Sequence, residues 1–344
     1  MTVSRSAEDP IGELTAGASG GFQITDAELS DSVKQGLTRV EAMLHDLVRS
    51  ELDFATRTSL HLVDAGGKRF RPLFALLAAQ FGDPSADEVI KSGAVVEMIH
   101  LATLYHDDVM DEATMRRGAT SANARWDNSV AILTGDFLFA KASQLIADLG
   151  AEAVRRMAST FEALVTGQMR ETEGVGAGQD AVERYLRVIY EKTGSLIATA
   201  GRFGAWFSGA DQPVIESLER IGRLVGIGFQ ISDDIIDIAS PTDESGKTPG
   251  TDLREGVKTL PMLYALADPE TDPRLRELLG RPLELDAEVD EALELLRASS
   301  GLERTRATLQ EYADDARKEL ASLPENPARE ALSALVDYVV ARTG

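Results

Sequence analysis

From Asp26 onward, apolar residues recur at intervals of three and four along almost the whole chain. That is the period of an amphipathic helix, and no stretch keeps the two-residue alternation of a half-buried strand. DSVKQGLTRVEAMLHDLVRSEL (31–52), SVAILTGDFLFAKASQLIADLG (129–150) and AVRRMASTFEALVTGQMRET (153–172) all read this way. So do SGAVVEMIHLATLYHDDVMDEA (92–113) and ERIGRLVGIGFQISDDIIDIAS (219–240). Several are apolar on more than one face, which predicts buried central helices. The fold class is therefore all-α. Breaks fall at glycine- and proline-rich stretches such as DAGGKRFRP (64–72) and PTDESGKTPGTD (241–252). None is long enough for an interdomain linker. The reading is one helical domain over 23–344, preceded by a disordered arm over 1–22.

Charge narrows the classes of function. With 57 acidic and 35 basic side chains the formal net charge is −22. Such a chain repels nucleic acid unless bases concentrate locally, and only short clusters such as Lys68-Arg69-Arg71 occur. There are no cysteines, which removes disulfides and thiolate chemistry and is consistent with the cytoplasm. No run of 18 apolar residues marks a membrane span, although peripheral contact with a membrane is compatible with the sequence.

One pattern occurs twice. DDVMD at 107–111 and DDIID at 233–237 each carry aspartates at i, i+1 and i+4, 126 residues apart. On a helix i and i+4 share a face, and i+1 lies about 100° around. Each triplet ends an apolar helical run, where its charges oppose the helix dipole and repel one another. Something positive must offset them. Carboxylates are hard ligands that suit Mg²⁺, an ion that commonly bridges to substrate phosphates. Asp107, Asp108, Asp111, Asp233, Asp234 and Asp237 are the candidate metal residues. Cations gather nearby in sequence: Lys68 and Arg71 beyond a Gly-Gly turn, Arg116 and Arg117 after the first triplet, then Lys192, Lys247 and Lys258. Arginine pairs bidentately with phosphate and lysine acts as a point charge. Two anionic groups are implied, one held through metal and one held directly.

The ordered motifs GGKRFRP, HDDVMDEATMRRG, GQMRE, EKTG and GFQISDDIID followed by SGK resemble the trans-prenyltransferases, the polyprenyl diphosphate synthases, over roughly residues 35 to 260. The resemblance implies a bundle of mostly antiparallel helices around a deep cavity, usually a homodimer, with three Mg²⁺ per active site. It implies condensation of isopentenyl diphosphate onto an allylic diphosphate. By motif match, Lys68, Arg71, His100 and Arg117 are the isopentenyl diphosphate site, and Arg116, Lys192, Lys247 and Lys258 bind the allylic diphosphate. Thr193 and Gln230 line the reacting centre, with Gln168 on the facing helix. Glu171 stands where some members have Asp and is a further metal candidate.

Short-chain members carry bulky aromatics four and five residues before the first aspartate. Here these are Thr103 and Ala102, with Ile99 and Val96 next along the helix, Val96 about 16 Å below Asp107. The small pair predicts a C30 to C50 product of the kind used for quinone side chains. Phe137, Phe139 or Phe161 could close the cavity instead, which leaves a C20 product as the alternative. A class I terpene cyclase needs a different second metal motif. A His-Asp phosphohydrolase needs more histidines than His45, His61, His100 and His106. A non-catalytic partner subunit would have lost aspartates, and both triplets are complete.

Overall fold

The computed structural model describes residues 22–239 and 249–343. Most of the expected arm, and Lys247, lie outside them; Phe22, at the boundary of that arm, is buried in the main core. The chain is all-α. Among the described residues the helices are α1 (Ala27–Leu47), α2 (Asp53–Asp64), α3 (Phe70–Ala78), α4 (Asp87–Met110), α5 (Ala122–Arg125), α6 (Asn128–Ala147), α7 (Ala151–Glu173) and α8 (Ala181–Ile189). They continue with α9 (Ser195–Phe207), α10 (Gln212–Ala239), α11 (Thr251–Glu255), α12 (Leu260–Ala267), α13 (Pro273–Leu278), α14 (Asp286–Ala298), α15 (Ser300–Ala321) and α16 (Pro327–Ala341).

Local chemistry sets several boundaries. The Asp26 and Asp127 carboxylates accept the N–H groups of Leu29 and Val130, each at 2.8 Å, and so cap α1 and α6. The apolar α4 and α10 run through the middle: α4 packs on α6, and α10 on α9 and α15. A large core fills the space between them, and a smaller one gathers Ile238, Leu253, Met262, Leu278 and Leu293 near the carboxyl half. One helix, α6, is long and apolar enough to cross a membrane by length and composition, with mean hydropathy 1.4. It buries one face, including Ala131, Leu138, Ala142 and Leu145, and leaves Ile132 and Leu133 exposed.

The helical reading misses one element. Met115–Arg116 (β1) and Ala119–Thr120 (β2) form a small antiparallel hairpin. Its two-residue loop, Arg117-Gly118, has φ of 52° and 72°, as a type I′ turn requires. The chain therefore doubles back after α4 instead of continuing along its axis, and this decides where Arg116 and Arg117 lie.

Candidate active site

The first aspartate cluster closes α4. Asp107 is half-buried in the last turn, and Asp111 is exposed at the C-cap. Burial, partly offset by Lys192, pushes the Asp107 carboxyl up to about 6. Asp108 is fully buried, and its Oδ1 accepts a hydrogen bond from Arg116 Nε at 2.6 Å. Its Oδ2 is buried with no donor. Asp108 is thus a buried carboxylate with one oxygen on Arg116, and Arg116, turned back by the hairpin, is engaged by it.

The second cluster repeats the pattern on α10. Asp234 is buried and bonded to Tyr185 Oη and, at 3.4 Å, to Gln230 Nε2. Burial, then the neighbouring Asp252, raises its carboxyl to about 8. Thus the middle aspartate of each triplet is the buried one, because it is rotated about 100° from its neighbour. Asp237, which the family resemblance places behind the metal ligands, accepts from the N–H groups of Thr251 at 3.1 Å and Asp252 at 3.3 Å and so holds the start of α11. Asp233 takes the guanidinium of Arg342, the C-cap of α16, which lies 4.2 Å from the centre of the Phe229 ring. Burial lowers that guanidinium to about 10, so it stays charged at neutral pH.

Both clusters act electrostatically on a residue that sequence reasoning did not single out. Burial raises the Glu255 carboxyl, and Asp111 of the first cluster and Asp237 of the second both raise it further. Glu171 adds to the same field and is paired with Lys192. No three His, Asp or Glu side chains among the described residues form a ready-made metal cage. The donor set nevertheless fits Mg²⁺, which keeps several waters and is held by one or two carboxylates plus phosphate oxygens. The unpartnered Asp108 Oδ2 also lies in this acidic region.

A cationic cradle adjoins the first cluster. Arg69, Glu112 and Arg117 are the non-glycine residues with positive φ among those described, and all flank the site. Backbone strain of this kind persists where the surroundings over-determine it. Arg69 bonds Glu41 at 2.8 Å and 2.9 Å and the buried Glu97 at 3.1 Å. Arg117 comes within 3.7 Å of Glu97 and donates to the Gly66 carbonyl. A Cβ on Gly67 would sit 2.7 Å from Arg117 Cζ, so the Gly-Gly pair makes room for that guanidinium. Burial lowers Arg71 to about 10 and leaves its Nε without a partner. Burial, with Arg71, Arg117, Arg69 and Arg116 around it, holds His100 well below the usual histidine range, so it is neutral. Sequence reasoning passed over Arg69 and Glu97, although Arg69 stands inside the quoted GGKRFRP. Lys68 and Lys258 are exposed.

A five-residue π turn, Tyr190–Gly194, delivers Lys192 and Thr193, and Thr193 Oγ1 donates to Gln230 Oε1 at 3.3 Å. Below the aspartates lies a cavity of about 720 Å³ between α4, α6 and α7. Thr103, His106, Asp107 and Met110 of α4 line it at helical spacing, opposite Phe161, Leu164, Val165, Gln168 and Met169 of α7. His106 was weighed only as a sign of hydrolase chemistry. A Cβ on Gly135 would meet its Nε2 at 2.3 Å, so that helix-interior glycine was the available signal. Of the four expected chain-length residues, only Thr103 lines the cavity. Ala102, Ile99 and Val96 are buried in the packed interior, because α4 is covered there on every side. At the far end Phe161 packs on Phe139, ring centres 4.3 Å apart. Phe137, another sequence candidate for closure, lies on α6 beneath Lys141.

Comparison with known proteins bears on this geometry. The polyprenyl synthetase family profile matches residues 53–296. Nonaprenyl diphosphate synthase of Mycobacterium tuberculosis is 58% identical over 94% of this chain and 97% of its own length. A crystal structure of geranylgeranyl pyrophosphate synthase from Corynebacterium glutamicum, complexed with calcium and isoprenyl diphosphate, is 50% identical, with a TM-score of 0.84, over 94% of this chain and 99% of that one. A decaprenyl diphosphate synthase from Rhodobacter capsulatus is 34% identical with the same TM-score of 0.84, over 92% of this chain and 99% of that one. With two aspartate clusters, the first of which borders an apolar cavity through Asp107, and a match spanning most of its length, the chain belongs to the polyprenyl synthetase family and is a prenyl transferase.

Proposed function

We propose that this chain is a Mg²⁺-dependent polyprenyl diphosphate synthase that adds isopentenyl diphosphate repeatedly to an allylic diphosphate and releases a C30 to C50 product. The observation that carries this reading is the repeated aspartate cluster, the first copy bordering the α4–α6–α7 cavity through Asp107 and both copies acting electrostatically on Glu255. Asp107, Asp111 and Asp233 would hold the divalent cations. Mg²⁺ supplies charge that stabilises the leaving diphosphate. Lys192 reinforces the allylic diphosphate side, with Lys247 and Lys258 as further candidates. Arg71, Arg117, Lys68 and the neutral His100 bind isopentenyl diphosphate. Glu97 lies between Arg69 and Arg117 and keeps their charges tolerable in a buried place. Thr193, Gln230 and Gln168 orient the reacting carbons. The apolar cavity keeps water from the allylic cation, which must meet the isopentenyl double bond first. Among the described residues no His or Glu is set aside as a base, so the departing diphosphate is the proton acceptor in this reading.

A C20 product is the second reading, favoured by the Phe139–Phe161 pair. From Glu173 to Phe161 the α7 wall runs twelve residues, about 18 Å. An isoprene unit adds four chain carbons, about 5 Å at extended reach, so about four units fit above the rings. Energetics favours the longer product. Parting a ring pair costs about 0.5–1.5 kcal/mol, whereas burying five more carbons contributes about 4 kcal/mol at about 0.8 per group. The relative that makes a nonaprenyl product by name points the same way. Leu133 of α6, 66% exposed, supports a homodimer in which a second copy covers it.

The deciding assay incubates the protein with labelled isopentenyl diphosphate, several allylic starters and Mg²⁺, then sizes the dephosphorylated products. Turnover in the presence of EDTA, or release of monophosphate without elongation, sinks this reading. Inactivity until another chain is added would make it a partner subunit.

A further inference from the structure

Arg342 stands third from the carboxyl end, yet its side chain is only 10% exposed. Asn326 caps the start of α16 by accepting the Arg329 N–H at 2.8 Å. The Thr343 carbonyl accepts from Arg306 of α15 at 3.1 Å. The helix is thus tied at both ends, and the guanidinium is delivered to one place: the Asp233 carboxylate, against the Phe229 ring. Phe229 in turn packs on Phe70, ring centres 5.0 Å apart, at the start of the helix that bears Arg71. Arg342 Nη1 is buried without an acceptor. A buried cationic N–H left unpaired is costly, and an anionic oxygen in the site would satisfy it.

We propose that Arg342 is the resident counter-ion of the second aspartate cluster. Its guanidinium occupies Asp233 until a divalent cation arrives with its diphosphate, and then, still stacked on Phe229, donates to a diphosphate oxygen. The pairing offsets the charge of Asp233 beside Asp234 and Asp237 in the resting enzyme. It also makes the cation compete for its ligand, so metal binds well only together with the anion that engages the displaced arginine. This rests on the reading of Asp233 as a cation ligand.

The test uses the full-length protein and calorimetric titration with Mg²⁺ alone, and with Mg²⁺ plus inorganic pyrophosphate. Arg342→Met keeps an apolar stem against Phe229 and removes the charge. It should bind Mg²⁺ alone about five- to tenfold more tightly than the wild type, the range of one charge-assisted contact. It should lose most of the enhancement that pyrophosphate gives. Arg342→Lys should restore the wild-type pattern. In an Asp233→Asn background, Arg342→Met should change nothing, since the pair is already broken. Melting curves in EDTA check that each variant is folded. Unchanged or weaker Mg²⁺ binding by Arg342→Met, with Asp233→Asn impaired, overturns this proposal alone. Wild-type metal binding by Asp233→Asn overturns the reading beneath it as well.

Discussion

Product length should be set by the α7 floor and not by the packed side of α4. Phe161→Ala removes about six carbons, close to the bulk of one five-carbon unit in a cavity whose walls are close-packed, and it also breaks the ring pair with Phe139. The mean product should lengthen by at least one isoprene unit. Phe161 is half-buried, so the stability cost should be about 1–3 kcal/mol, below the 3–5 of a fully buried Phe→Ala. Thr103→Phe is the reciprocal change. Thr103 lines the cavity one turn, about 6 Å, below Asp107, and an aromatic ring there should hold the product at or below C20. Ala102→Phe serves as a control. Ala102 is buried in the packed interior, so overpacking should cost about 1–3 kcal/mol and lower the yield of folded protein without a defined shorter product. Reversed-phase sizing of dephosphorylated products, below the melting temperature of each variant, reads all three. An unchanged product distribution in Phe161→Ala would refute the floor.

Three further outcomes follow from the site. His100 is half-buried and neutral among arginines, with its pKa well below the unfolded value; the unfolded chain binds the proton more readily, so stability is full above about pH 6.5 and falls as the pH drops below it. His100→Gln should flatten that part of the stability–pH curve, and an unaltered curve would show that His100 is not responsible. Glu97 is 1% exposed between Arg69 and Arg117; Glu97→Gln should cost about 3–5 kcal/mol in denaturant unfolding, because it leaves Arg117 without its carboxylate and Arg69 with Glu41 alone. A loss under 1 kcal/mol would mean that water already compensates them. Asp237→Ala should cost about 1 kcal/mol through the frayed start of α11 while leaving the Mg²⁺ needed for half-maximal rate nearly unchanged, and a tenfold rise in that requirement would restore Asp237 as a ligand.

The fold class and the duplicated aspartate pattern were legible because both are periodic along the chain. Three- and four-residue apolar spacing determines helices, and i, i+1, i+4 spacing determines which carboxylates share a face. The same periodicity could not say which face looks inward, since α4 and the second half of α10 are apolar nearly all round. Only tertiary packing turned Asp108 and Asp234 toward the interior, gave Asp237 to α11, and brought Glu255 into the field of both clusters. The Arg117-Gly118 turn is a local signal, but its result, Arg116 on Asp108, depends on where the hairpin lands. The cavity floor was undecided for the same reason: Val96, Ile99 and Ala102 are one helix's residues, whereas the Phe139–Phe161 pair belongs to two helices. A residue's partner across space, unlike its neighbours along a helix, is decided by how the elements pack.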